Sequence, residues 1–448
     1  MHPARPEILM ATRAEAGAPM GVRAVVAATV GNALEFYDFL TYAFFAIQIG
    51  HALFPAQSAY GSLMLSLATF GAGFVTRPIG GILIGAYSDR AGRRSAMMLS
   101  FTLMGGAIVA MALIPPYAMI GIAAPILAVL ARMVMGFSLG GEVGPTTAYL
   151  LETAPVERRG FMVSWQGASQ MIAAIAGGVV GLILSAAMSR IALESYGWRI
   201  AFLLGAITVP FGLWVRRGLP ETLHDDEPRP AAISRATTRL GVARENSRII
   251  ILGLIVLAYG TISTYVMNYM TTFAQDTLKI AAGPAFAVTV VSNLTRLVGN
   301  LYGGGLSDRF GRRPIMIWPN WLALLLSYPV FLWVVESRST VALLAGMGLL
   351  NLITGFPFGA FYAALAESLP KPIRGGAFAT IYAISITVFG GSCQLVVRWL
   401  IHVTGNPMAP AWYLLIATAI GQIAIHLIPE SAPARRKKGD IPIFPAKK

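Results

Sequence analysis

The sequence predicts an all-α integral membrane protein, with twelve transmembrane helices in two pseudo-symmetric six-helix halves. Three observations carry that prediction. Of 448 residues, 56% are apolar and only 12% charged, about half the charged share of an average soluble domain, so a soluble fold of this length could not cover its own surface. Twelve mostly apolar runs can be placed along the chain, each near the roughly 20 residues that cross a hydrocarbon core of about 30 Å. Motifs of the first six runs return, in order, in the last six. This composition excludes an ordinary cytosolic enzyme and a disordered scaffold. The single cysteine, Cys393, excludes an internal disulfide and a cysteine-based metal cluster.

A polar tail, 1–23, precedes the first run, 24–50. That run is too long for a signal-peptide core, carries Glu35 and Asp38, and lacks a clear cleavage site after it, so it reads as a retained helix. Runs 60–86, 96–115, 121–151, 162–189 and 199–216 complete an N-terminal bundle over 24–216. The stretch 217–248, with its PETLHDDEPRP segment, is polar, charged and proline-bearing and reads as a central loop. Runs 249–273, 284–305, 314–335, 340–366, 377–402 and 411–428 form a C-terminal bundle over 249–428, and 429–448 is a basic tail. With the N-terminus in the cytoplasm, twelve crossings return the C-terminus there. Cytoplasmic segments then hold 26 Lys and Arg, and external loops only 4 (Arg190, Arg199, Lys279 and Arg338). The positive-inside rule demands that asymmetry, and it accounts for the net charge of +14 without nucleic acid.

Residues 76–94 (TRPIGGILIGAYSDRAGRR) align with 295–313 (TRLVGNLYGGGLSDRFGRR), 10 of 19 positions identical at an offset of 219. ETAPVERRGF at 152 is echoed by ESLPKPIRGGAF at 367, and LPET at 219 by IPES at 428. Three echoes in one order imply duplication. A six-plus-six repeat implies a transporter whose site lies near mid-membrane between the halves.

The loop pattern G-x-x-S-D-R-x-G-R-R, present in both halves, resembles the signature loop of the major facilitator superfamily. GNALEFYDFLTYAFFA, RPIGG, GFSLGGE, RRGFMVSWQGASQ and YGWRIAF resemble its metabolite:proton symporter family, with SWQGASQ and its neighbouring loops most similar to the citrate and tricarballylate members. The resemblance implies the major facilitator fold and alternating access in an inner membrane, with protons and a small organic anion as cargo.

In the signature loops Gly92 and Gly311 permit the tight bend. Asp89 and Asp308 stand where a carboxylate can accept from a helix N-terminus or pair with an Arg. Arg90, Arg93 and Arg94, with Arg309, Arg312 and Arg313, either set topology or latch the cytoplasmic gate. The resemblance favours a latch at Asp89, with Glu152 and Arg159 as partners.

Charges inside the runs need a reason, because each costs about 2.5–3.5 kcal/mol at mid-bilayer even on the lenient insertion scale. Glu35 and Asp38 are three apart and share a helix face. Two carboxylates so close in low dielectric cannot both ionise cheaply, so one is expected to hold and trade a proton. The alternatives are a structural pairing of Glu35 with a nearby Arg, or an interfacial position for both. Arg132 matches the family's intramembrane Arg, although Met135 stands where a Gln is usual. Its expected partner is the Glu35/Asp38 pair. Glu142 reads equally as a relay or a structural partner, and Gly136, Gly140, Gly141 and Gly144 allow close helix approach.

Arg77 and Arg296 each precede their signature Asp by twelve residues, about 18 Å of helix, so the repeat is expected to set them facing each other across the cavity. Two guanidiniums there would clasp the two ends of a polycarboxylate. Arg398, Gln166, Gln170, Tyr265, Asn268, Tyr269, Asn351 and Thr354 are further candidate contacts, each alone as readily helix–helix glue. The aromatic residues crowding the first run read mostly as lipid or packing residues. No metal-ligand spacing joins the five histidines, and neither a phosphate loop nor a nucleophile elbow is present. The expectation is a monomeric carrier contacting membrane lipid, with no cofactor and no nucleic acid, taking up a citrate-like anion. A zwitterionic osmolyte or a monocarboxylate is the rival cargo.

Overall fold

A computed structural model describes residues 22–91, 93–140, 147, 150, 151, 154–217, 244–370 and 374–435. The side chains of Glu35, Asp89, Arg90, Arg93 and Arg94, and residues Gly92, Gly141, Glu142, Gly144 and Glu152, lie outside that description.

Among the described residues, twelve helical passages succeed one another. Helix α1 is Val22–Phe44 with its continuation Ala46–Leu53, and α2 is Ala59–Val75 with Arg77–Ala91. Then come α3 (Arg93–Leu113), α4 (Ala123–Leu139), α5 (Arg159–Ala187) and α6 (Trp198–Arg217). The second half holds α7 (Ser247–Asp276), α8 (Ala282–Phe310), α9 (Arg312–Ser337) and α10 (Thr340–Ser368). Helix α11 runs from Arg374–Ser385 through a π-helical turn, Ile386–Gly390, into Gly391–Thr404, and α12 is Ala409–Leu427. Seven described helices are long and apolar enough to cross a membrane by length and composition. Helix α8 is as long as most of them but more polar. Its Asn293, Arg296, Asn300 and Asp308 are all buried, so it faces the protein interior. The outer surface instead shows large apolar side chains, with Ile82, Trp318 and Leu325 each 71% exposed, as lipid contact requires.

Helix ends follow local chemistry. Ser58 accepts from Gly61 N at 3.1 Å to cap α2, and Ser339 accepts from Ala342 N at 3.1 Å to cap α10. Gly311, at φ +102°, makes the expected tight turn between α8 and α9.

Duplication is visible in how backbones touch. A Cβ on Gly136 would lie 1.6 Å from Gly73 O, and one on Gly80 1.9 Å from Phe137 O, so α2 and α4 cross backbone to backbone. In the second half a Cβ on Gly299 would lie 2.3 Å from Leu352 O, and one on Gly359 2.0 Å from Asn300 O, the same crossing of α8 and α10. Gly80 and Gly299, Gly136 and Gly355, and Gly140 and Gly359 correspond at the 219-residue offset of the signature loops. Gly136→Ala is therefore expected to force α2 and α4 apart and destabilise the protein by about 1–3 kcal/mol, read as a lowered thermal midpoint of the purified carrier.

The two halves meet along α5 and α8 and along α2 and α11. Asn300 Nδ2 donates to Ser164 O at 2.8 Å, Thr387 Oγ1 donates to Phe74 O at 3.0 Å, and a Cβ on Gly71 would lie 2.6 Å from Gly391 O.

Candidate functional site

Between the halves lies a cavity. Phe36 and Leu40 of α1 and Gln170 of α5 form one wall; Thr264, Tyr265 and Asn268 of α7, Asn293 and Arg296 of α8, Phe358 and Tyr362 of α10 and Tyr382 of α11 form the other. The π-helical turn begins four residues past Tyr382 and contributes Ile386 to the lining. Such bulges commonly mark working positions.

Arg296 is 3% exposed. Its Nη2 donates to Thr264 Oγ1 at 2.8 Å and its guanidinium lies over the Phe358 ring, 4.9 Å from the centroid. Its Nε is buried with no hydrogen-bond partner. A planar cation held by one hydroxyl and one ring, with an N–H still to satisfy, is built to receive a carboxylate edge. Gln170, Asn268 and three tyrosines line the same cavity as neutral polar groups, while Asn293 donates to Thr289 O one turn back at 2.9 Å. A second, smaller pocket also includes Arg296 in its lining, with Tyr259, Ser263 and Thr354.

Arg77 does not line the cavity. Its guanidinium lies over Phe39 and Phe74, 4.2 and 4.5 Å from their centroids, and Phe74 in turn meets the cavity's Tyr265 edge to face at 5.5 Å. The expected face-to-face pair of arginines is thus replaced by one arginine at the wall and one behind aromatic rings. Glu35 lies outside the described side chains, and Asp38 is within electrostatic reach of Arg132. Among the described residues no ion pair joins it to Asp38. It lies over Phe39, Tyr42 and Phe70 at 4.5, 4.6 and 5.2 Å, and its Nη1 contacts Met135 Sδ at 3.8 Å. Guanidinium is weakly hydrated and stacks well on rings, so an aromatic box can house it where a carboxylate was expected. The α1 aromatics, read from the sequence as packing or lipid residues, supply much of this box, and Phe36 lines the cavity itself.

Asp38 is 1% exposed and its Oδ1 meets no donor among the described residues. Gln166 is buried with both amide atoms unpartnered, away from the cavity wall. Asn351 donates to Met347 O one turn back, at 2.9 Å, and is outside the cavity lining. Tyr269 is buried outside the cavity lining. Arg398 is no cavity residue either: its Nε pairs with Asp276 at 2.8 Å and its guanidinium lies over the Tyr60 ring at 4.9 Å. Tyr362, Tyr382, Asn293 and Thr264 went unnoticed in the sequence. Their only signal was a polar group in an apolar run.

Contacts between the halves flank the cavity. Toward the signature loops, the Asp308 carboxylate accepts from Gly160 N and Phe161 N at 2.8 and 2.9 Å, capping the N-terminal turn of α5 across the interface. Arg312 Nη1 donates to the same carboxylate at 2.7 Å, while its other edge clasps Glu367 at 2.9 and 3.1 Å. Glu430, from the IPES echo, accepts from Arg312 N and Arg313 N at 2.8 and 3.0 Å. Arg309 is exposed, and Arg159 is half-buried at the start of α5. Arg312→Met would leave Asp308 and Glu367 buried without their cation, an expected loss of about 3–5 kcal/mol measurable by thermal unfolding. On the far side of the cavity Gln48 donates to Gln275 at 3.1 Å, and Tyr60 stacks on His402 with centroids 3.8 Å apart.

A two-bundle helical fold with a cavity between its halves that a buried arginine lines, bracketed by contacts across the interface, defines a secondary active transporter of the major facilitator type. The sequence comparisons place it further. The family described as "Sugar (and other) transporter" matches residues 24–228. A citrate-proton symporter of Klebsiella pneumoniae is 36% identical over 94% of this chain and 93% of its own length. A putative proline/betaine transporter of Staphylococcus aureus (strain COL) is 30% identical over 94% and 91%. Among solved structures, a D-xylose-proton symporter superposes with a TM-score of 0.72 at 18% identity, covering 92% of this chain and 97% of its own. The chain belongs to the metabolite:proton symporter family of the major facilitator superfamily. It is a multi-pass membrane carrier and not an enzyme.

Proposed function

We propose that this protein couples inward proton movement to uptake of an organic anion, a citrate-like tricarboxylate or dicarboxylate, by alternating access. The observation that carries this reading is Arg296 at the cavity wall, its Nε unpartnered among neutral donors. The citrate-proton symporters of Klebsiella pneumoniae and Salmonella typhi, 36% and 34% identical, support the same cargo. Arg296 takes one carboxylate, and Gln170, Asn268, Tyr265 and Tyr362 take the remaining oxygens. Asp38 carries the proton, with Arg132 in its electrostatic field. Arg77 acts on the site through Phe74 and Tyr265. Asp308, Arg312 and Glu367 close the cytoplasmic gate, both termini being cytoplasmic in an inner membrane, and bundles 24–216 and 249–428 rock as units around the central loop.

The aromatic lining, with Phe36, Phe358 and three tyrosines, also suits a quaternary ammonium. This favours a betaine-like zwitterion as the second reading, in keeping with the proline/betaine relative. Uptake of labelled citrate, succinate, shikimate, proline and betaine, with and without a protonophore, separates the two. Carboxylate uptake abolished by the protonophore supports symport of an anion. Uptake confined to proline or betaine, or indifferent to collapse of the gradient, overturns it.

A further inference from the structure

The geometry points to Gly205 on α6 as the docking position of the protonated Asp38 side chain, which makes Gly205 a positioning residue for proton coupling. The inference rests on the reading of Asp38 as the proton carrier.

Ala201 and Gly205 are one helical turn apart on α6 and present one face to α1. Tyr37 donates its hydroxyl to Ala201 O at 3.1 Å, and Asp38 lies over Gly205. A Cβ on Gly205 would sit 1.7 Å from Asp38 Oδ1, 2.8 Å from its Cγ and 2.9 Å from Tyr37 Cε1. The carboxyl oxygen therefore occupies the space that any side chain at 205 would need. No described group donates to Oδ1 there. A carboxylate with no donor in a low-dielectric interior is costly, whereas a neutral acid is tolerated.

The charged and titratable groups around Asp38 leave one other option. On α4, Arg132 is within electrostatic reach. On α2, Arg77 lies beyond the Phe39 ring. The Tyr37 hydroxyl is committed to Ala201 O, and the described part of α6 offers only Ala201 and Gly205 at this level. Glu35, three residues earlier on α1, is outside the described side chains. When the Asp38 O–H bond breaks, the proton passes to water and the bonding pair stays on the carboxylate. The resulting anion leaves Gly205 for the field of Arg132. Proton loading thus sets whether the Asp38 side chain packs on α6, the kind of two-position element that coupling needs.

The test is the pH profile of uptake in proteoliposomes. Gly205→Ala should move it to lower pH by about one unit, a tenfold weaker hold on the proton, with substrate exchange at low pH near wild type. Asp38→Glu keeps the titrating group on a longer arm that does not fit against Gly205, and should show the same acid shift. In an Asp38→Ala background, adding Gly205→Ala should leave exchange unchanged and lower the thermal midpoint less than it does with Asp38 present, because only the Tyr37 Cε1 contact at 2.9 Å remains. Unshifted profiles in Gly205→Ala and Asp38→Glu overturn the proposal. If Gly205→Ala fails to fold, the Asp38→Glu profile decides alone. Wild-type accumulation in Asp38→Asn would remove the coupling reading itself, whereas loss of accumulation in Asp38→Asn beside a wild-type profile in Gly205→Ala removes only the role of Gly205.

Discussion

Arg296→Ala is expected to weaken binding of a carboxylate substrate about 10- to 150-fold, the equivalent of about 1.5–3 kcal/mol for a charge-assisted contact. The guanidinium is the group at the cavity wall best placed to hold an anion, and its Nε has no other partner. Arg296→Lys keeps the charge but loses the planar fork. It also gives up stacking on Phe358, so it should fall between wild type and alanine. Because Arg77 stands behind Phe39 and Phe74 rather than opposite, one carboxylate meets Arg296 and the rest of the substrate meets neutral donors. Tricarboxylates and dicarboxylates should therefore lose affinity similarly, while a betaine-like cargo held by the rings should lose less. Competition across a mono-, di- and tricarboxylate series, with betaine included, reads this out. An unchanged affinity for every carboxylate would show that Arg296 is structural.

The second large effect is expected at Asp38. Asp38→Asn should abolish gradient-driven accumulation, because the amide cannot release a proton, while leaving substrate exchange across the membrane, which needs no net proton turnover. Its buried site beside Gly205 accommodates an amide of nearly the same shape, so loss of fold is not the expected cause. Accumulation and counterflow in the same proteoliposomes check this. Full accumulation in the variant would assign the proton to another group, with Glu35 and Glu142 next in line.

Some of this protein could be read directly from its residues. The twelve apolar runs lie within a few residues of the helices observed, wherever those are described. Lipid and water sort side chains by hydropathy alone, with no need to know what packs on what. Duplication was legible because the signature loops keep their spacing, and the glycine crossings of α2 with α4 and of α8 with α10 obey the same offset. Asp308 was readable as a carboxylate at a helix junction, but the helix it caps, α5, lies across the interface and is named only by the tertiary structure.

The site was legible only in part. Arg296, Gln170, Tyr265 and Asn268 were recognisable as polar groups in apolar runs, and they do line the cavity. Arg398 gave the same signal yet pairs with Asp276, and Asn351 gave it yet bonds its own helix. A buried polar side chain must be satisfied, but the sequence does not say by what. The residues alone determined that the chain is a duplicated, membrane-spanning carrier with charges inside its spans. The tertiary structure decided which of those charges meet the cavity and which are housed in aromatic boxes. That choice depends on how the helices of each bundle rotate about their own axes against one another, and side chains on neighbouring helices, such as Phe39 and Phe74, set the outcome.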